Sequence, residues 1–161
     1  MLLALGAPGL FAAEEPLARP GMVERALSWI GVKYRFGGQD ELRGFDCAGL
    51  VRQAFSAVSV ELPRTAAAQF QFGCVVPRED LQPGDLVFFR NTYKRGISHV
   101  GIYIGGGEFV HAASRRRSVV VDRLDMPYFQ SRFAGGRRVT PPAVVHPPLP
   151  TFQSHPEDPA R

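Results

Sequence analysis

The sequence predicts an α+β fold in which N-terminal helices pack on an antiparallel β-sheet. Apolar residues recur at helical spacing over residues 21–31 and 47–57. From Pro83-Gly84 onward, short apolar runs alternate with turn dipeptides and glycines. The chain has 161 residues, 45% hydrophobic and 21% charged, enough for one domain with a core of its own. Helices first and strands after is the layout of helices laid on one face of a sheet.

In order along the chain, Val23, Ala26, Leu27 and Ile30 mark the first helix, and Gly31 is its stop. Tyr34 to Gly38 reads as a loop because paired glycines punctuate it. Asp46 stands at an N-cap position, and Leu50, Val51, Ala54, Phe55 and Val58 continue a second helix over about 47–57. Thr65 caps a short third helix through Phe70. Strands are expected at 85–90, 99–104, 108–113, 118–122 and 137–139. Gly105-Gly106-Gly107 closes a hairpin between the second and third of them. Trp29 and most of the twelve phenylalanines are expected in the core.

The ends differ from the middle. Residues 1–19 begin with an apolar stretch ending in small residues, Met1 to Ala13, which resembles a secretory leader without its basic n-region. Residues 140–161 hold seven of the fourteen prolines and read as a disordered tail. The folded region is therefore expected over 20–139. No run of 18 apolar residues occurs, so no membrane-spanning helix is expected.

The candidate chemistry centres on Cys47 at the start of the second helix. Free N–H groups and the helix dipole favour thiolate there, whereas the charge of Asp46 opposes it. Parity in the glycine hairpin supplies partners. With a three-residue loop, Ile104 faces Glu108, Ile102 faces Val110 and Gly101 faces His111. Val100, Ile102, Ile104, Val110 and Ala112 then share an apolar face. His99, Gly101, Tyr103, Phe109 and His111 share the other, with the two imidazoles as diagonal neighbours. Gly101 leaves space beside them. Thiol, imidazole and an orienting group are the parts of a nucleophilic acyl-transfer site. Read without further context, the same residues also suit a buried thiol with two satisfied polar histidines. A zinc site from Cys47, Cys74, His99 and His111 lacks the CxxC or HxxxH spacing of a zinc module.

Six motifs in order carry a resemblance. They are Tyr34-Arg35-Phe36-Gly37-Gly38, Asp46-Cys47-Ala48-Gly49-Leu50-Val51, Leu62-Pro63-Arg64-Thr65, Pro83-Gly84-Asp85-Leu86-Val87-Phe88-Phe89, His99-Val100-Gly101-Ile102-Tyr103-Ile104 and Phe109-Val110-His111-Ala112. Together they resemble the NlpC/P60 family of cell-wall cysteine peptidases, over about Val23 to Val139. The resemblance implies a papain-like fold and hydrolysis of peptidoglycan stem peptides, most often between γ-D-glutamyl and meso-diaminopimelate or lysine. It implies Cys47 as nucleophile, His99 as general base, His111 as the residue orienting it and Tyr34 as an oxyanion donor. Asp46, Ala48 and Arg64 would fall at the substrate-binding end, with Asp46 placed to receive a free amine. Many members have serine where this chain has Ala48, which bears on substrate preference and not on the triad. No metal or cofactor is implied. The location of such a substrate implies export to the periplasm or cell envelope, with an extracellular location as the alternative, and the chain is expected to act as a monomer. An amidase or other acyl-transfer relative, or a wall-binding protein with a relic site, are the competing functional classes.

The remaining features read more plainly. Cys74 lies in an apolar context and is expected as a small buried hydrophobe, with a Cys47–Cys74 disulfide as a redox alternative. Asp85 follows a Pro-Gly turn and is expected to serve it. Arg115-Arg116-Arg117 is expected as a solvated loop, with contact to an anionic cell-wall polymer as the functional alternative. The net charge of +4 fits that partner, while no aromatic platform or helix motif supports nucleic-acid binding.

Overall fold

A computed structural model describes residues 19–140, with side chains from Gly21 onward. The leader expected over 1–19 and the tail expected over 140–161 lie, but for Arg19 and Thr140, outside the described residues. Helix α1 (Arg19–Ser28) ends earlier than its periodicity suggests. The chain tightens there, with Trp29 N–H on the Ala26 carbonyl at 3.2 Å and Ile30 N–H on the Leu27 carbonyl at 3.1 Å. Two short strands follow, β1 (Gln39–Asp40) and β2 (Gly44–Phe45), each too brief to leave a sequence pattern. The predicted 34–38 loop is tied down by a Tyr34–Phe45 bridge. Helix α2 (Cys47–Ser56) and helix α3 (Ala66–Gln69) start where expected, capped by Asp46 and Thr65.

The strands are β3 (Cys74–Val76), β4 (Leu86–Arg90), β5 (Ile97–Gly105), β6 (Glu108–Ala113), β7 (Ser118–Arg123) and β8 (Phe133–Arg138), with helix α4 (Pro127–Gln130) between the last two. They form one antiparallel sheet in the order β3-β8-β4-β5-β6-β7. β8 begins four residues before the expected strand, because Gly135-Gly136 erases its apolar signal. β3 is an edge strand paired only to β8, and Cys74 at its start is exposed. This corrects the expectation of a buried Cys74. Its apolar neighbours point outward too, since Val75 is exposed and only Val76 turns inward. Both cysteines are free thiols.

The run Leu86-Val87-Phe88-Phe89 is buried on both sides of the sheet, so it reads as continuously apolar. Leu86 and Phe88 join the core under α1 and α2, with Val100, Ile102, Val110 and Ala112. Val87 and Phe89 join a second cluster with Phe109, Leu124 and Phe129 on the other face. The two faces read from hairpin parity therefore hold. The mechanism of the turn differs. Gly105, not Ile104, pairs with Glu108, and a register shift between Tyr103 and Gly105 absorbs the extra residue. A two-residue turn plus a bulge thus gives the same inner register as a three-residue loop. Asp85 does serve its turn, accepting the Gln82 N–H at 2.8 Å, and is also buried against Arg138 at 2.7 Å.

Candidate active site

Cys47 occupies the first position of α2, which Asp46 builds. The Asp46 carboxylate accepts the Gly49 N–H at 2.7 Å as an N-cap and the Gly37 N–H at 3.0 Å. Arg64 grips both oxygens, at 3.0 and 2.6 Å. Each oxygen thus already accepts two hydrogen bonds. A Cβ on Gly49 would lie 2.1 Å from the Gly38 carbonyl oxygen. Glycine at 49 therefore lets the 34–38 loop close down on the helix start. That loop carries Tyr34, whose N–H is held by the Arg117 carbonyl at 2.8 Å.

The sulfur is nearly buried but opens to a cavity of about 460 Å³ that Tyr34, His99 and His111 also line. Burial, then the Asp46 charge, push the Cys47 thiol up to about 11, against the pull of the Val100, Ala48 and Cys47 backbone N–H groups. The free protein therefore holds a thiol at neutral pH. The helix-start N–H groups pull toward thiolate and the Asp46 charge opposes it, as expected, and burial is the larger cause that decides the balance. Tyr34 is raised to about 12, first by burial, and keeps its hydroxyl proton.

His99 Nε2 and His111 Nδ1 are 2.7 Å apart, so the two imidazoles meet as parity requires. Phe89, Phe109 and Phe129 pack around them, with ring centroids 4.7–5.9 Å from the imidazoles. Burial holds His99 well below 6.5 and lowers His111 as well, so both are neutral at pH 7. His111 Nε2 lies 3.1 Å from Asp122 Oδ2, and Arg116 Nη2 holds Asp122 Oδ1 at 2.9 Å. Among the described residues, no three His, Cys, Asp or Glu side chains are grouped to hold a metal ion.

A second cavity of about 300 Å³ adjoins the first. Tyr34, Cys47 and Tyr93 line both, and Asp46, Ala48, Arg64 and Phe36 line the second alone. The site is thus a cleft with Cys47 at its middle. Sequence reading placed Tyr34, Asp46, Cys47, Ala48, Arg64, His99 and His111 in it. It missed Thr92 and Tyr93 on the β4–β5 loop, which the Ser98 hydroxyl pins through the Thr92 N–H at 3.0 Å. It also missed Asp122. Arg115 to Arg117 form an exposed turn, as expected, and Arg115 and Arg116 also wall the first cavity, with Arg115 4.7 Å over the Tyr128 ring.

The family model described as NlpC/P60 family matches residues 31–138. The chain is 44% identical to the Gamma-DL-glutamyl hydrolase of Bacillus subtilis over 79% of its own length and 31% of that protein's. It is 36% identical to Murein DD-endopeptidase MepH of Escherichia coli over 76% of its length and 46% of that protein's. It thus spans less than half of either relative. A crystal structure of an NlpC/P60 family protein from Bacillus cereus superposes with a TM-score of 0.72 at 32% identity, over 77% of this chain and 41% of that one. By sequence over two thirds of its length, and by fold, the chain belongs to the NlpC/P60 family.

Proposed function

We propose that this protein is a cysteine peptidase that hydrolyses peptidoglycan stem peptides, with the γ-D-glutamyl–diaminopimelate or γ-D-glutamyl–lysine bond as its target. The observation that carries the reading is a thiol at a capped helix start sharing one cavity with two hydrogen-bonded imidazoles. The name of the B. subtilis relative, a γ-DL-glutamyl hydrolase, supports the bond. Substrate location places the protein's work in the cell envelope.

The chemistry follows from the protonation states. The resting pair is neutral thiol and neutral imidazole. His99 takes the Cys47 proton as the substrate seats, and sulfur adds to the scissile carbonyl carbon. The Cys47 N–H and the Tyr34 hydroxyl stabilise the oxyanion, a donor being typically worth about 3 kcal/mol. The C–N bond breaks, His99 returns the proton to the leaving amine, and a thioester remains. Water then adds to the thioester with His99 as base, releasing the acid and restoring the thiol. Asp46, Ala48 and Arg64 shape the second cavity for the acyl side of the stem.

The name of the E. coli relative favours a second reading, cleavage of the D,D crosslink. Mass spectrometry of murein digests separates the two by the new termini. The proposal expects free N-terminal diaminopimelate or lysine from the unmutated protein and intact murein with Cys47→Ala. Equal digestion by both proteins overturns it.

A further inference from the structure

We propose that Asp122, held by Arg116, is a positioning residue that sets the tautomers of both histidines and thereby leaves Nδ1 of His99 as the basic nitrogen. The proposal rests on the peptidase reading above for its consequence, though its geometry stands alone.

Asp122 lies on β7 opposite Phe109, on the same sheet face as His111. The carboxylate is held below its ordinary range, chiefly by the His111 hydrogen bond, so it is ionised and only accepts. Nε2 of His111, 3.1 Å away, must therefore donate to it. A neutral imidazole has one N–H, so Nδ1 of His111 carries a lone pair. That Nδ1 lies 2.7 Å from Nε2 of His99, which must donate in turn. Nδ1 of His99 is then the ring nitrogen left with a lone pair. One aspartate fixes two rings, and it does so without touching a reacting atom.

Arg116 makes the arrangement directional. It occupies Asp122 Oδ1 at 2.9 Å as a donor. In an Asp122→Asn variant the amide oxygen turns to Arg116, because the amide nitrogen facing a guanidinium would set donor against donor. The amide N–H group then faces His111 Nε2, which has to accept. His111 moves its proton to Nδ1 and donates to His99 Nε2. The proton of His99 shifts to Nδ1, and the base is lost. Removing Arg116 as well frees the amide to rotate and present its oxygen to His111.

The test is turnover of a defined muropeptide by Asp122→Asn, Arg116→Ala and the double variant. Asp122→Asn should lower kcat by about 10²-fold or more with KM little changed, as a wrong tautomer does. The double variant should recover at least about tenfold over Asp122→Asn, a rescue that a merely structural aspartate does not give. Asp122→Asn within about threefold of the unmutated kcat, or a double variant no better than the single, overturns the proposal. Long-range ¹H–¹⁵N NMR of the unmutated protein reads the tautomers directly, whatever the variants' folding. Protonated Nε2 on both histidines supports the proposal, and protonated Nδ1 on His111 overturns it. Failure of the peptidase reading shows elsewhere, as murein digestion indifferent to Cys47→Ala.

Discussion

Gly101 and His111 leave no room between them for a methyl group. A Cβ built on Gly101 would stand 3.2 Å from the Cβ of His111 and 2.6 Å from Cδ2 of Phe109. Phe109 is fully buried and packed against Phe89 and Phe129, so its ring has nowhere to retreat. Gly101→Ala should therefore lower stability by about 1–3 kcal/mol as overpacking does. It should also lower kcat by pushing His111 off His99. Thermal denaturation and single-turnover kinetics check the two effects separately.

The Asp46 charge helps keep the Cys47 proton in place. Asp46→Asn removes that charge and retains one oxygen for the Gly49 cap, while its amide N–H group replaces the oxygen that accepts from Gly37 and Arg64. The thiol should then ionise at lower pH, and alkylation at neutral pH should be faster than in the unmutated protein. Asp46→Ala removes the cap too and should lower stability by about 1–2 kcal/mol. Iodoacetamide rates against pH and chemical denaturation measure these outcomes. Slower alkylation of Asp46→Asn contradicts the electrostatic assignment.

His99 and His111 are both held below 6.5 by burial, so the unfolded chain binds their protons more readily than the native one. Stability gained by excluding those protons is complete above the unfolded value and is lost as pH falls through 6.5 and below. The melting temperature should accordingly drop on the acid side of 6.5, and His99→Gln should flatten part of that slope. Because His99 stays neutral well below 6.5, the acid limb of kcat/KM should also lie below that pH. An acid limb above 6.5 contradicts the neutral resting pair.

Tyr34 keeps its proton to about pH 12 and lines both halves of the cleft. Tyr34→Phe removes one oxyanion donor and little volume. Its kcat should fall by about 10²-fold, with KM nearly unchanged, if the hydroxyl acts in the transition state. A raised KM with kcat unchanged assigns the hydroxyl to ground-state binding instead.

Much of this was legible because local rules and the core agree. Asp46 and Thr65 announce their helices by capping, and the apolar residues of α2 repeat at the helical period. Hairpin parity put His99 and His111 on one face, and the bulge at Tyr103–Gly105 preserved that parity while changing the turn. Asp122 was within reach of the same reasoning. Four residues separate β6 from β7, and His111 pairs with Val120, which sets Asp122 on the histidine face two residues on. The glycine-rich β8 and the exposed edge strand β3 gave no such signal, since neither shows an apolar alternation.

The sequence by itself determined the helix that begins at Cys47, the two-faced hairpin, and the family to which both belong. Capping, period and turn chemistry act between near neighbours, so they are written locally. Only the tertiary structure decided that Cys47 rests as a thiol, that Arg64 saturates Asp46, and that Asp122 and Arg116 stand behind His111. Those outcomes depend on how much water each group loses and on which distant charge it meets, and burial and long-range approach exist only once the sheet and helices have closed on one another.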